Sequence, residues 1–283
     1  MAEIKMTFPQ GKGKALTLSY DDGVEQDIRL IEIMKKNGLK GTFNLNSGLY
    51  KDPKTVYEKG TVHRRMSKAE ATDLYTKNGM EVAVHGLHHL HMEQLPFGQC
   101  VYETMKDREN LEEQFGVIVR GMAYPFGTYS DQAVEALKMA QIAYARTVIS
   151  SGRFDIPTDW LRLPATCHHN DSRLMELAKN FAEDNPAAYG NARLFYLWGH
   201  SYEFEGCDNW HVIEEFAEYM GGREDIWYAT NLEIHDYVEN YRHLIFSADG
   251  EKIYNPGSLD IYLTVNGKLR CVSAGETIGS GEV

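Results

Sequence analysis

Several common features are missing from this sequence, and each absence removes a class of function. No apolar run approaches the roughly 18 residues that a membrane-spanning helix needs, so no membrane partner is expected. No cluster of roughly five or more Lys and Arg occurs, and the formal net charge is −12. That balance disfavours nucleic acid and anionic lipid as partners and suits a neutral or cationic substrate. Four cysteines, Cys100, Cys167, Cys207 and Cys271, lie scattered without a CxxC spacing, so neither a zinc finger nor a disulfide framework is readable and the thiols are taken as reduced. The start, Met1 to Pro9, lacks an apolar core of about 7–15 residues behind a basic region. The chain as written is therefore expected in the cytoplasm, unless a leader was removed ahead of residue 1. No internal repeat or low-complexity tract is present, and nothing sets an oligomeric state.

What is present is an alternation of short apolar runs with amphipathic stretches over the first 245 residues, the pattern of βαβ units and a parallel sheet or barrel. Strands are expected at Ala15 to Tyr20, Gly41 to Leu45, Val82 to Val84, Val117 to Tyr124, Tyr144 to Ile149, Arg193 to Gly199 and Ile226 to Ala229. Helices are expected between them, one opened by the capping box Ser67-Lys68-Ala69-Glu70 and stopped at Gly79, another opened by Ser130. Lys51 to Arg65 reads as a polar insertion and Ser151 to Pro164 as a long loop. Beyond Phe246 the texture changes to Leu259 to Val265, Asn266-Gly267 and Leu269 to Val272, a β-hairpin with an Asn-Gly turn. The expected organisation is thus an α/β barrel over residues 1–245 with a β appendage over 246–283.

In a parallel barrel, chemistry collects where strands end. Here the ends deliver Ser19-Tyr20-Asp21-Asp22-Gly23, then His85 and His89, then Tyr124-Pro125-Phe126-Gly127, then His200. If the chain turns helical after Gly86, His85 and His89, four residues apart, face one point. One carboxylate and two imidazoles form a three-ligand site that leaves positions open for water on a divalent ion and lowers that water's pKa. A second, adjacent carboxylate is free to take a proton, and a histidine from another strand to protonate a leaving amine. This is a set suited to metal-assisted hydrolysis of an amide or ester. His88, His91, His168 and His169 receive no role.

The order of these groups resembles the polysaccharide deacetylase family, also called carbohydrate esterase family 4 or the NodB homology group, across roughly residues 15 to 240. Ser19 to Gly23 is similar to its Thr-Phe-Asp-Asp-Gly motif, His85 and His89 to its His-x-x-x-His motif, and Leu197 to His200 to its late Leu-x-x-His-like strand end. The resemblance implies a distorted barrel of seven or eight βα units. It implies Asp21 as catalytic base, His200 as general acid, and Asp22, His85 and His89 as ligands of a divalent metal. Zinc is the expected ion, with cobalt, manganese and nickel compatible with the same donors. The implied reaction removes acetyl groups from an N- or O-acetylated sugar or polysaccharide.

Two motifs depart from the family. Where Arg-Pro-Pro-Tyr-Gly is usual, this chain has Ala123-Tyr124-Pro125-Phe126-Gly127, so the arginine that orients the base is absent, although the Phe126 N–H is still implied as an oxyanion donor. Where Asp-x-x-Asp-Trp is usual, Asp155 stands four residues before Asp159-Trp160, and nearby Arg162 is the expected replacement for the missing guanidinium. Tyr124, Trp160, Trp198 and Tyr202 are candidate substrate contacts, with Glu203 and Trp210 as further candidates. Two other functions stay open: a metal-dependent hydrolase of a cyclic ureide or imide on the same scaffold, and a non-catalytic carbohydrate-binding protein. The second has no use for Asp21, a carboxylate beside the ligand set and outside it.

Overall fold

The computed structural model describes residues 3–186, 190 and 192–280. Among them the strands are β1 (Ile4–Met6), β2 (Lys14–Asp21), β3 (Gly41–Leu45), β4 (Glu81–Val84), β5 (Gly121–Ala123), β6 (Tyr144–Ser150), β7 (Leu163–Ala165), β8 (Cys167–His168), β9 (Arg193–Gly199), β10 (Ile226–Tyr228), β11 (Ile245–Phe246), β12 (Lys252–Tyr254), β13 (Ile261–Val265), β14 (Lys268–Val272) and β15 (Thr277–Gly279). Helices Asp27–Lys36, Lys68–Asn78, Phe97–Phe115, Asp131–Met139, Leu174–Glu183, Ser201–Gly206, Trp210–Met220 and Asn231–Arg242 fill the connections. No helix among the described residues is long and apolar enough to cross a membrane.

The central sheet is parallel and runs β7-β6-β5-β4-β3-β2-β9-β8, with β10 added alongside the start of β2. Its two ends belong to one stretch of chain. β7 pairs with β6 and β8 pairs with β9, and only Thr166 separates them, its N–H donating to the Tyr196 carbonyl at 2.8 Å. The stretch 163–168 therefore links the two edges of the sheet, β6 and β9, in a barrel-like arrangement.

Residues of β2 are buried on both faces, as a strand inside such a barrel must be. Leu16, Leu18 and Tyr20 pack outward in one cluster with Leu30, Ile31 and Met34 of the first helix. The alternate residues turn inward and are polar. Thr17 donates to Asn231 at 2.8 Å, Ser19 accepts from Asn44 at 2.9 Å, and Asp21 meets Arg146. This period-2 split is what puts a carboxylate at the inner rim of an otherwise apolar wall.

The capping box forms as expected: Ser67 caps the helix, Glu70 returns a carboxylate to the Ser67 N–H at 2.8 Å, and Gly79 ends it at φ 62°. The strand expected over Val117 to Tyr124 is shorter, Gly121–Ala123, because Val117 and Ile118 lie exposed in the connection after Gly116. The long loop from Ser151 holds a short 3-10 turn, Trp160–Arg162, and then β7. The hairpin β13–β14 turns at Asn266 and Gly267, both at positive φ, the requirement of a type I′ turn. β1 adds to β13 as a third strand, and Ile261, Leu263 and Val265 pack with Phe8, Tyr237 and Val238.

Candidate active site

Asp21 ends β2, and left-handed φ values at Asp22 (80°) and Gly23 (64°) bend the chain there, so that both carboxylates reach one cleft and do not point to opposite faces. His85 follows β4 directly. The chain after Gly86 is a turn and not the expected helix: Gly86 has φ 76° and His89 φ 54°, and this turn brings His89 back beside His85, ring centroids 4.8 Å apart. Ligand atoms of Asp22, His85 and His89 all lie within 4.8 Å of one another.

The orientation of these side chains is fixed from behind. The His85 Nδ1–H donates to the Ala123 carbonyl at 2.8 Å, which leaves Nε2 with its lone pair facing the cleft; Nε2 is buried and has no hydrogen-bond partner among the described residues. Buried Asp107 accepts from the His85 N–H at 3.1 Å and from the Ser47 N–H at 2.7 Å, and burial pushes its carboxyl up to about 7. Asn46 binds the carbonyls of His85 and Gly86. Burial lowers the pKa of His85, and burial, with His85 close by, brings His89 down to about 4, so both imidazoles are neutral at neutral pH.

Burial alone would raise the Asp21 carboxyl, but the Arg146 guanidinium, His85 and His200 more than offset it and hold the group below the usual carboxylate range. Its Oδ2 accepts from Arg146 Nη2 and lies 3.8 Å from His85 Nε2 and 3.7 Å from His200 Nε2; its Oδ1 accepts from Asn44 at 2.8 Å. Arg146 is fully buried and lies over the Trp198 ring, 4.3 Å from its centroid.

This corrects the expectation for Arg162, which pairs with Asp159 at 2.8 Å and Asp131 at 2.7 Å at the surface and does not reach Asp21. The guanidinium on Asp21 comes from β6. Arg146 is the register partner of Ala123 across the β5–β6 pair, so the arginine missing from position 123 enters the barrel from the adjacent place on the next strand.

The polar insertion contributes as well. Arg65 donates to Asp22 Oδ1 at 2.9 Å and to the Asp22 carbonyl at 2.8 Å, and His63 Nε2 lies 3.3 Å from Asp22 Oδ2. Burial of Asp22 is outweighed by His63, His85 and Arg65, which hold it far below the carboxylate range. Nothing in the composition of Lys51 to Arg65 marked these two residues.

His200, directly after β9, meets Glu203 one helical turn on, with Nδ1 to Oε1 at 3.2 Å. Glu203 Oε2 also lies 3.2 Å from His168 Nε2 and 2.9 Å from His169 Nε2. Burial disfavours the His200 cation, but Glu203 and Asp21 reverse that and raise its pKa. The buried His169 ring, driven down to about 4 by burial, fits because residue 199 is glycine: a Cβ there would sit 2.0 Å from His169 Nδ1. His168 does not complete a metal site with His200 and Glu203, since its Nδ1 accepts the Asn170 N–H at 3.1 Å and its Nε2 must then carry the proton.

The candidate substrate contacts divide. Tyr124 is buried and donates its hydroxyl to the Leu161 carbonyl at 2.9 Å. Trp160 is buried and donates to Glu239 at 2.7 Å, and Trp198 lies beneath Arg146. Trp210 packs on Phe204 and Arg29. Tyr124, Trp160 and Trp198 are buried and held by the protein itself, which corrects their assignment as substrate contacts; Trp210 is partly buried. Tyr202 stands at the cleft, 5.2 Å from the His200 ring and 4.8 Å from that of His63. Phe126 also stands there, at φ 58° and 49% exposed. His88 binds Glu103 at 2.9 Å, away from the ligand set.

Among known proteins, residues 9–145 match the family described as polysaccharide deacetylase, a span that ends one residue short of Arg146. No curated protein sequence matches the chain. A provisionally assigned polysaccharide deacetylase structure from Mycobacterium smegmatis is similar at 17% identity over 84% of this chain and 94% of that one, with a TM-score of 0.59, which is a likeness of fold. A Streptococcus pyogenes deacetylase in complex with acetate aligns at 21% identity, TM-score 0.40, over 47% of this chain; the chain spans 55% of that protein's length. A carbohydrate esterase family 4 pseudoenzyme from Bacillus anthracis aligns at 18% identity, TM-score 0.48, over 82% of this chain and 68% of that one.

Proposed function

With a polysaccharide deacetylase domain over residues 9–145 as the premise, we propose that this chain is a metal-dependent hydrolase that removes acetyl groups from an acetylated sugar or oligosaccharide. The observation that carries this is Asp21 Oδ2, an anionic base placed within 4 Å of both a metal-facing imidazole, His85, and a second imidazole, His200, of raised pKa. A binding module needs no such carboxylate.

The residues fit a divalent ion. Asp22, His85 and His89 offer one carboxylate and two neutral imidazoles, and His85 Nε2 is a buried acceptor that nothing among the described residues satisfies. Such an ion supplies a Lewis acid and a water of lowered pKa. Asp21, ionised across the neutral range, accepts a proton as water attacks the acetyl carbonyl. Arg146 and Asn44 keep its two oxygens oriented. The Phe126 N–H, in a turn pinned by the Gly127 N–H to the Tyr124 carbonyl at 2.8 Å, donates to the developing oxyanion. His200 gives its proton to the departing nitrogen or oxygen as the bond to the acyl carbon breaks, and acetate and the free sugar leave.

Acetate release from N-acetylglucosamine oligomers tests the reaction, with ring opening of allantoin as the competing outcome. Acetate without ring opening is expected; ring opening alone would transfer the site to cyclic ureides. The ion is tested separately by metal analysis. Protein purified without chelators and dialysed against zinc is expected to hold a tightly bound ion, and His89→Ala to lose it. Wild-type protein that retains no zinc under those conditions would refute the ligand assignment.

A further inference from the structure

The aromatic residues expected at a sugar subsite are mostly enclosed, and beside Tyr202 a second ring, that of Phe126, faces the cleft. Phe126 is 49% exposed beside the ligand set, its ring centroid 4.5 Å from that of His89 in an edge-on contact. One face lies parallel on His91, centroids 3.8 Å apart at 7°. Its backbone is left-handed at φ 58°, a conformation unfavourable for any residue with a Cβ and one that glycine or asparagine would adopt at lower cost.

The turn holding it is rigid. The Tyr124 N–H donates to the Arg146 carbonyl at 3.0 Å, and Gly127, at φ 70°, is packed so that a Cβ would fall 2.1 Å from Val148 Cγ1. A lone exposed phenylalanine needs no explanation. This one combines an unfavourable backbone, a stacked brace and a position against a metal-facing imidazole, and local strain held by its surroundings points to use.

We infer that the Phe126 ring, braced by His91, is the stacking platform for the pyranose that carries the acetyl group, and so a specificity-determining residue. One face of the ring is covered by His91, and what remains open borders His89, where the acetyl carbonyl meets the ligand set. The C–H face of a pyranose is the complement of an aromatic face. His91 thereby acquires a function as the brace of that ring, outside the metal site. The inference rests on the deacetylase reading for its substrate class.

The test compares a substrate with the sugar ring and one without it. For N-acetylglucosamine tetramer against ethyl acetate, the ratio of kcat/KM values is expected to fall about 3- to 10-fold in Phe126→Ala, mainly through a higher KM for the tetramer, and to recover in Phe126→Trp. Both variants keep the main-chain N–H, which separates the ring from the oxyanion donor. Equal losses on both substrates, or an unchanged ratio, would overturn the platform. If wild-type protein releases no acetate from either substrate, the deacetylase reading fails by itself; calorimetric binding of the tetramer then decides the platform. Weaker binding to Phe126→Ala than to wild type supports it, and equal binding overturns it.

Discussion

Arg146→Met is expected to lower kcat/KM for acetate release by about 100- to 1,000-fold, with partial recovery in Arg146→Lys. Asp21, the proposed base, is buried, and its ionised form depends on the guanidinium that reaches it from β6. Removing one partner of a buried ion pair leaves an uncompensated charge, at a cost of about 3–5 kcal/mol, and the remaining carboxylate relieves this by taking up a proton or moving. Either response removes the base. Lysine returns the charge but not the planar group that lies over Trp198 while donating to Asp21, so it restores only part of the rate. The same loss lowers stability, visible as a reduced unfolding midpoint. Arg162→Ala serves as the control: its ion pairs are at the surface, where such pairs contribute about 0–1 kcal/mol, and its kcat/KM is expected to change by less than about twofold. If Arg162→Ala carries the large loss and Arg146→Met does not, the base is oriented in another way.

The exchange between these two arginines shows where the sequence stops being legible. Asp21, Asp22, His85, His89 and His200 stand at the ends of apolar runs, and parallel strands bring such ends to one rim of a barrel, so their meeting follows from pattern. A motif records neighbours along the chain. Arg146 and Ala123 are neighbours across a strand pair and 23 positions apart in sequence, so one substitutes for the other in space without leaving a local trace. A signal did exist: Tyr144-Ala145-Arg146 puts a charge inside a buried strand, where an unpaired arginine is untenable and a partner must be supplied. Arg162 lies close to a motif along the chain, but its loop pairs it with Asp131 and Asp159.

The link between the two edges of the sheet leaves little sequence signal for a similar reason. Leu163 to His168 lies at the edge of a long polar loop and is interrupted at Thr166, too short to register as a strand by alternation, yet it pairs on both sides. His63 and Arg65 were equally unreadable, since a polar insertion has no periodicity and only its path over Asp22 gives those two residues a meaning. Glu203, a candidate sugar contact by sequence, instead meets His200: one helical turn is the spacing at which a carboxylate reaches an imidazole.

Loss of His200 is expected to lower kcat by about 10²- to 10⁴-fold, the range for removing a general acid, while Glu203→Gln leaves the acid in place and changes the pH at which it works. The groups facing His200 are Glu203 on the following turn, Asp21 and Asp22 from the end of β2, His168 from β8 and Tyr202. Burial lowers the His200 pKa, and the hydrogen bond to Glu203 with the charge of Asp21 raises it beyond its ordinary value. A general acid must be protonated, so activity persists through the ordinary histidine pKa and falls as pH rises through the raised one. Glu203→Gln keeps a hydrogen-bond acceptor but removes the anion, so the proton is lost at lower pH and the alkaline limb of kcat moves down the pH axis. A merely structural role for Glu203 predicts a lower rate with the limb unmoved, and that result in a pH–rate profile would refute the assignment. Gly199→Ala reaches the same limb from a distance. Its new Cβ, 2.0 Å from His169 Nδ1, displaces a ring that lies 2.9 Å from Glu203, and a carboxylate freed from that contact no longer holds His200 in the same place. The limb is therefore expected to shift in Gly199→Ala although residue 199 touches neither substrate nor metal ligand.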